Sequence, residues 1–330
     1  MAGFAGIVEE GRRRGYDCIT HLTIQNEVNS VDIAHQHDPK KSMELYRLLY
    51  EDLDESLRAL PNPADDSATL RDAVQLVGGD LVERGIASQD DWLRFMQEQM
   101  ASLLDGYSIH VYWVQGDFKK FEKRLSHLLD LVAELKIEKP IYVTEYGVKA
   151  SNTGEPGTID GMNVEHMVET AFEHAWFNAL APQFGCVGLS KWALYRTDGS
   201  SFGGWGMIDA PSKNFARTPT YRVTWLFDHL TEPGWKAAGL GRGSNLLVGA
   251  FRAPNGNQSV VTLNRRSQSQ QVRVEGLQPG AGYFAAVWNR EGDGALHALR
   301  RLSTDAVGAA TITVPGHGLV ALSQKTIGFQ

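Results

Sequence analysis

Residues 19–30 read Ile-Thr-His-Leu-Thr-Ile-Gln-Asn-Glu-Val-Asn-Ser. The β-branched run from Ile19 to Ile24 has the make-up of a buried strand, predicted over about 18–25, and it ends in polar groups: Gln25, Asn26, Glu27 and Asn29. In parallel α/β proteins the catalytic groups gather at the C-terminal ends of strands. A second strand, Ile141-Tyr142-Val143-Thr144, runs into Glu145, with Tyr146 and Gly147 behind it. Two carboxylates on two strand ends suggest an acid/base and nucleophile pair. The remaining chain reads as the scaffold that brings Glu27 and Glu145 together.

Outward from that stretch, strands and helices alternate. Residues 4–14 have amphipathic spacing and stop at Gly15. Asp38-Pro39 opens a helix that carries Met43, Leu45, Tyr46, Leu49, Leu53 and Leu57 at helical period to about Ala59. A strand over Ala73–Val77 ends in Gly78-Gly79-Asp80, and Ser88-Gln89-Asp90-Asp91 has the capping-box pattern of the next helix. Tyr107–Tyr112 is a third strand, and Asp117 caps a helix whose apolar stripe runs from Phe118 to Leu135. After Ile141–Thr144 come a polar loop over 149–161, a helix over about 164–180, a strand over Cys186–Ala193, and a last helix over about 219–229. Five strand-then-helix units predict a parallel sheet with outer helices. From about 235 the pattern becomes short alternating runs split by turns such as Pro254-Asn255-Gly256-Asn257, which is the spacing of an antiparallel β-sandwich. The expected domains are therefore 1–234 and 235–330.

Composition narrows the function. The 330 residues suffice for one large and one small domain, and 42% hydrophobic content with 22% charged is ordinary for a globular chain. A net charge of −7 without a basic run excludes a nucleic-acid partner, and Arg12-Arg13-Arg14 reads as a solvated helix face. No stretch of 18 apolar residues is present, so no membrane span is expected. The N-terminus lacks the basic start and apolar core of a signal peptide. The chain as written is expected in the cytoplasm, or secreted if its N-terminus is truncated. Cys18 and Cys186 are too few for a disulfide framework, and each opens a predicted strand as a buried thiol.

The ordered motifs are more specific than any one of them. Asn26-Glu27 on one strand end, His110-Val111-Tyr112 two strands later, Thr144-Glu145-Tyr146-Gly147 on the next and Lys191-Trp192 on the one after resemble the clan A glycoside hydrolases, families 5 and 39 most closely. The resemblance implies a (β/α) TIM-type barrel in which these strands are the fourth to the eighth, followed by an accessory β-sandwich. It implies that Glu27 is the acid/base, Glu145 the nucleophile and Asn26 the partner of a sugar 2-hydroxyl. His110 and Tyr112 would line the same floor, with Tyr112 donating to Glu145, and Trp192 would stack on a sugar face. The 18 residues ahead of the first strand have room for one helix but not for three βα units of ~30 residues each. The expectation is thus a partial barrel of five units whose open edge is covered by a second copy of the chain, as a homo-oligomer.

Trp113, Tyr195, Phe202 and Trp205 follow strand ends and are candidates for sugar subsites. His35-Gln36-His37-Asp38 could suggest a metal, but without a third ligand it reads as a polar wall, so neither metal nor organic cofactor is expected. Gly78-Gly79-Asp80 matches no phosphate loop. The resulting reading is a retaining β-glycosidase acting on a carbohydrate substrate. The rival reading is a non-catalytic carbohydrate-binding protein derived from such a barrel.

Overall fold

The computed structural model describes residues 1–29, 39–83, 89–149, 158–159, 162–195, 205–243, 245–290, 294–298 and 301–326. The expectations for His35, His37, Asp38, Ser88 and Phe202 lie outside these residues. The chain divides into two compact units. Met1–Val111, His127–Tyr146 and Val187–Ser190 form the first; Tyr112–Ser126, Gly147–Cys186 and Lys191–Gln330 form the second.

The first unit is built on a five-stranded sheet. Its strands are β1 (His21–Leu22), β2 (Gln75–Leu81), β3 (Gly106–Val114), β4 (Ile141–Lys149) and β5 (Cys186–Lys191), and they lie side by side in that order. The β1–β2 and β2–β3 pairings are parallel. Helices α1 (Ala2–Arg13), α2 (Pro39–Arg58), α3 (Gln89–Gln99) and α4 (Phe118–Glu134) alternate with the strands, which makes this a partial TIM-type barrel.

Two features hold the sheet in register from the N-terminal ends of its strands. Arg12, read from the sequence as solvated, is buried; its guanidinium donates to the carbonyls of Ile19 (3.2 Å) and Ala73 (2.8 Å), fixing α1 to the approaches of β1 and β2. Arg13 and Arg14 do face outward and pair with Glu9 and Glu10. The second feature is Tyr142 on β4. A methyl group on Gly106 would come within 2.8 Å of its ring, and one on Gly188 within 2.9 Å. Its hydroxyl donates to Gln75 (3.3 Å) and lies 3.1 Å from His21 Nε2. Tyr142 thus sits on one strand and touches the other four, and glycine on both flanking strands is what makes room for its ring.

The strands depart from their predicted bounds in instructive ways. β1 is two residues long, and the chain from Thr23 to Asn29 turns instead of extending. Cys18 precedes the strand and is exposed, against expectation, whereas Cys186 is buried and its thiol is pushed up to about 12 by desolvation. β4 runs on past Glu145 to Lys149. As expected, the Asp117 carboxylate accepts from the Lys120 amide (3.1 Å) at the start of α4.

The second unit holds α5 (Val168–Leu180), α6 (Pro219–Leu230) and, from Lys236 on, antiparallel strands. α5 is buried from Thr170 to Leu180, which explains why its sequence reads as apolar on nearly every face. Thr218 caps α6, its hydroxyl accepting from the Tyr221 amide at 3.2 Å. A large sheet runs β6 (Lys236–Arg242), β7 (Leu246–Arg252), β8 (Gln258–Asn264), β13 (Gly318–Ser323), β10 (Gly282–Asn289), β11 (Leu296–Ala298), with Leu302–Ser303 pairing β10. A two-stranded sheet joins β9 (Gln270–Val274) to β12 (Ala310–Val314). Val260, Tyr283, Val320 and Leu322 of the large sheet share one apolar cluster with Val274, Ile312 and Val314 of the small one. β6 escaped prediction because Lys-Ala-Ala-Gly-Leu-Gly-Arg alternates poorly and every residue of it is exposed, as on a sheet edge.

Candidate active site

His110 is the centre of the polar group in the first unit. It lies on β3, two residues beyond Ser108, and the period of a strand turns both toward one face. The ring is almost fully buried. Its Nδ1 lies 3.1 Å from Glu27 Oε1 and 3.3 Å from Glu145 Oε2. With Nδ1 as donor, one ring hydrogen is shared between the two carboxylates. Ligand atoms of Glu27, His110 and Glu145 all lie within 4.8 Å of one another.

Each carboxylate reaches that point through a local irregularity. Glu27 sits in a turn with φ +50°, a left-handed conformation that is uncommon without glycine. Asn29 holds the turn: fully buried, its amide donates to the Val82 carbonyl (2.8 Å) and accepts from the Val82 amide (2.9 Å). On β4 the burial alternation changes phase between Thr144 and Glu145, where two successive residues are half-buried. Thr144 donates to Asp80 while Glu145 meets His110, so neighbours in sequence serve the same polar group.

Asp80 is the residue that sequence reasoning missed. Its Oδ1 accepts from Ser108 Oγ (2.7 Å) and from Thr144 Oγ1, its amide donates to Ser108 Oγ (2.8 Å), and it lies 3.9 Å from His110 Nε2. The β2–β3 register shifts between Gly78 and Leu81, with Gly79 at φ +122° and Asp80 at φ +49°. A methyl group on Gly79 would stand 2.5 Å from the Ser108 carbonyl oxygen. The signal was present: paired glycines inside a strand mark a bulge, and a bulge re-aims the side chain beside it.

Of the other predicted site residues, Asn26 belongs to the first unit and is exposed. Tyr112, Trp192 and Tyr195 belong to the second. Lys149 Nζ stands 5.5 Å over the Tyr112 ring, which lies 6.2 Å from that of Trp205. Trp192 and Tyr195 are each 39% exposed. The backbone behind Trp192 is held by Ala193, which donates to the Trp205 carbonyl (3.0 Å). Lys191 beside it is buried, 2.9 Å from the buried Glu165, and also donates to the Trp192 carbonyl. Desolvation pulls the lysine down and pushes the carboxyl up.

Trp113 is a correction. It is fully buried, stacks on Phe177 at 5.1 Å and donates Nε1 to Glu173 (2.7 Å), so it is core and offers no face to a sugar. The alternation that turns Ser108 and His110 one way turns Trp113 the other.

Two carboxylates around one imidazole can relay a proton between a donor and a nucleophile, and the same trio has the donor set of a divalent-cation site. Solved structures with this fold are glycosidases in several cases. The chain is similar to an α-L-arabinofuranosidase from Thermotoga maritima, with TM-score 0.57 and 13% identity over 78% of this chain and 59% of that one. A GH30 endoxylanase from Clostridium papyrosolvens C71 gives TM-score 0.63 and 11% identity over 98% and 71%. SrfJ from Salmonella typhimurium gives 0.62 and 18% over 99% and 62%. The family model of the glycosyl hydrolase catalytic core matches residues 28–179. The chain is similar to the clan A glycoside hydrolases in fold and, over residues 28–179, to their catalytic-core model. No curated protein matches it by sequence. The chain spans about three fifths of the arabinofuranosidase it resembles.

Proposed function

We propose that the protein is a retaining β-glycoside hydrolase acting on β-linked oligo- or polysaccharides. The observation that carries the reading is the approach of Glu27 and Glu145, whose oxygens lie within 4.8 Å with His110 between them. Retaining enzymes hold their carboxyl groups about 5–5.5 Å apart, whereas inverting ones leave about 6.5–9.5 Å for a water. Glu145 attacks the anomeric carbon as the bond to the leaving oxygen breaks, and Glu27 gives that oxygen its proton. Glu27 then takes a proton from water, the water oxygen bonds to the anomeric carbon, and Glu145 departs as a carboxylate. His110 orients both groups through Nδ1, and Asp80 with Ser108 and Thr144 keeps the floor beneath it ordered. Asn26, beside Glu27 in the sequence, is assigned the contact to the 2-hydroxyl.

A 2-deoxy-2-fluoro aryl β-glycoside panel tests this. Covalent mass gain on a peptide containing Glu145, together with nitrophenol release from aryl β-glycosides that is lost in Glu145→Ala and falls about 10²–10⁴-fold in Glu27→Gln, is the expected result. A folded protein that binds oligosaccharide without labelling or turnover would move the reading to a carbohydrate-binding protein. The sheet ends at the two-residue β1, and we propose that a second copy covers this edge. Sedimentation of a monomer, or a dimer leaving the β1 edge open, overturns that part.

A further inference from the structure

A cavity of about 260 Å³ lies within the second unit, lined in part by Phe118, Phe172, Glu173, Arg265, Arg290 and His317. Phe118 opens α4, Phe172 and Glu173 lie on α5, Arg265 and Arg290 each follow a strand (β8 and β10), and His317 precedes β13. The guanidinium of Arg265 stands 4.0 Å over the Phe118 ring and 5.1 Å over that of Trp176. Among the described residues it makes no hydrogen bond and no ion pair. Arg290 pairs with Glu169, and both oxygens of Glu173 accept, from Trp113 Nε1 and the Gly116 amide at 2.7 Å each. Arg265 is therefore a planar cation whose donors are uncommitted among the described residues, standing against aromatic rings.

From this geometry we propose that the cavity is a binding site for a small organic monocarboxylate with a flat apolar body. The fork of Arg265 takes the two carboxylate oxygens side by side, and Phe118 and Phe172 cover the body. A single negative charge fits because, of the two arginines lining the cavity, Arg265 is the one without a carboxylate partner among the described residues. A neutral sugar would leave the guanidinium without its acceptor. The proposal is separate from the glycosidase reading and stands or falls without turnover.

Benzoate and its neutral isostere benzamide are the probes, titrated into the full chain by calorimetry. Saturable benzoate binding with a Kd below about 1 mM, about tenfold tighter than benzamide, is expected, with the difference abolished in Arg265→Met. Absence of saturable binding, equal binding of the two probes, or benzoate binding undiminished in Arg265→Met overturns the proposal. If Arg265→Met does not fold, the wild-type comparison of the two probes decides it. Arg265→Lys, which keeps the charge but not the fork, is then expected to fall between wild type and benzamide-level affinity.

Discussion

Asn29→Ala isolates what holds Glu27 in place. The Asn29 amide makes two hydrogen bonds to one residue, at 2.8 and 2.9 Å to the carbonyl and amide of Val82, and is itself fully buried. Truncation leaves both backbone groups without those partners at about 1–3 kcal/mol each. Val82 is half-buried, so water recovers part of the loss and the expected destabilisation is about 2–3 kcal/mol. Urea titration followed by tryptophan fluorescence reads it as a lower midpoint at unchanged slope. Activity supplies the second arm. With the anchor gone, the turn that keeps Glu27 at φ +50° is no longer imposed, and kcat should fall even where the variant is fully folded. Asn26→Ala is the matched control: Asn26 is exposed, so stability should change by less than about 0.5 kcal/mol while turnover of substrates with a 2-hydroxyl declines. A destabilisation of Asn29→Ala below about 0.5 kcal/mol would refute the view that this amide fixes the turn.

Gly79→Ala should destabilise by about 3 kcal/mol or more and weaken catalysis through Asp80, because its methyl meets the Ser108 carbonyl oxygen at 2.5 Å and its φ of +122° excludes a side chain; thermal unfolding and kinetics check both. Lys191→Met removes the cation 2.9 Å from the buried Glu165 and should cost about 3–5 kcal/mol, while the Lys191→Met, Glu165→Gln double variant should recover much of that in the same melts. Glu173 is pushed up to about 7 by desolvation. The folded state therefore holds a proton that the unfolded state has released, and this contribution to stability falls as pH rises from about 4.5 to about 7, by at most about 3 kcal/mol. Glu173→Gln should flatten the dependence of Tm on pH over that window, and an unchanged slope would discard the assignment.

Part of the site was legible because His110 lies in a regular strand. The order of motifs put His110 on the same floor as Glu27 and Glu145, and the structure brings the three together. What could not be read were the places where periodicity breaks. The phase change between Thr144 and Glu145 leaves no compositional trace, so Glu145 was placed at a strand end although β4 continues to Lys149. Trp113 was assigned to a subsite because its proximity to the strand end outweighed its parity. Arg12 looked like one of three equivalent arginines, and only the tertiary structure shows that one points inward to backbone carbonyls. Asp80 was named but not understood, because a bulge declares itself in sequence only through its glycines.

Tyr142 separates two tasks that a partial barrel has to perform. By resting on glycines of both adjoining strands and reaching His21 and Gln75, it gauges the alignment of the sheet from the rim opposite the chemistry. The rim that carries Glu27 and His110 is then spared that duty. Turns such as the one bearing Glu27 can adopt irregular backbone, and can change over evolutionary time or under an engineer's hand, while the strands stay aligned. Loop libraries built on this chain should accordingly tolerate diversity at the active-site rim, provided that Gly106, Tyr142 and Gly188 are left alone.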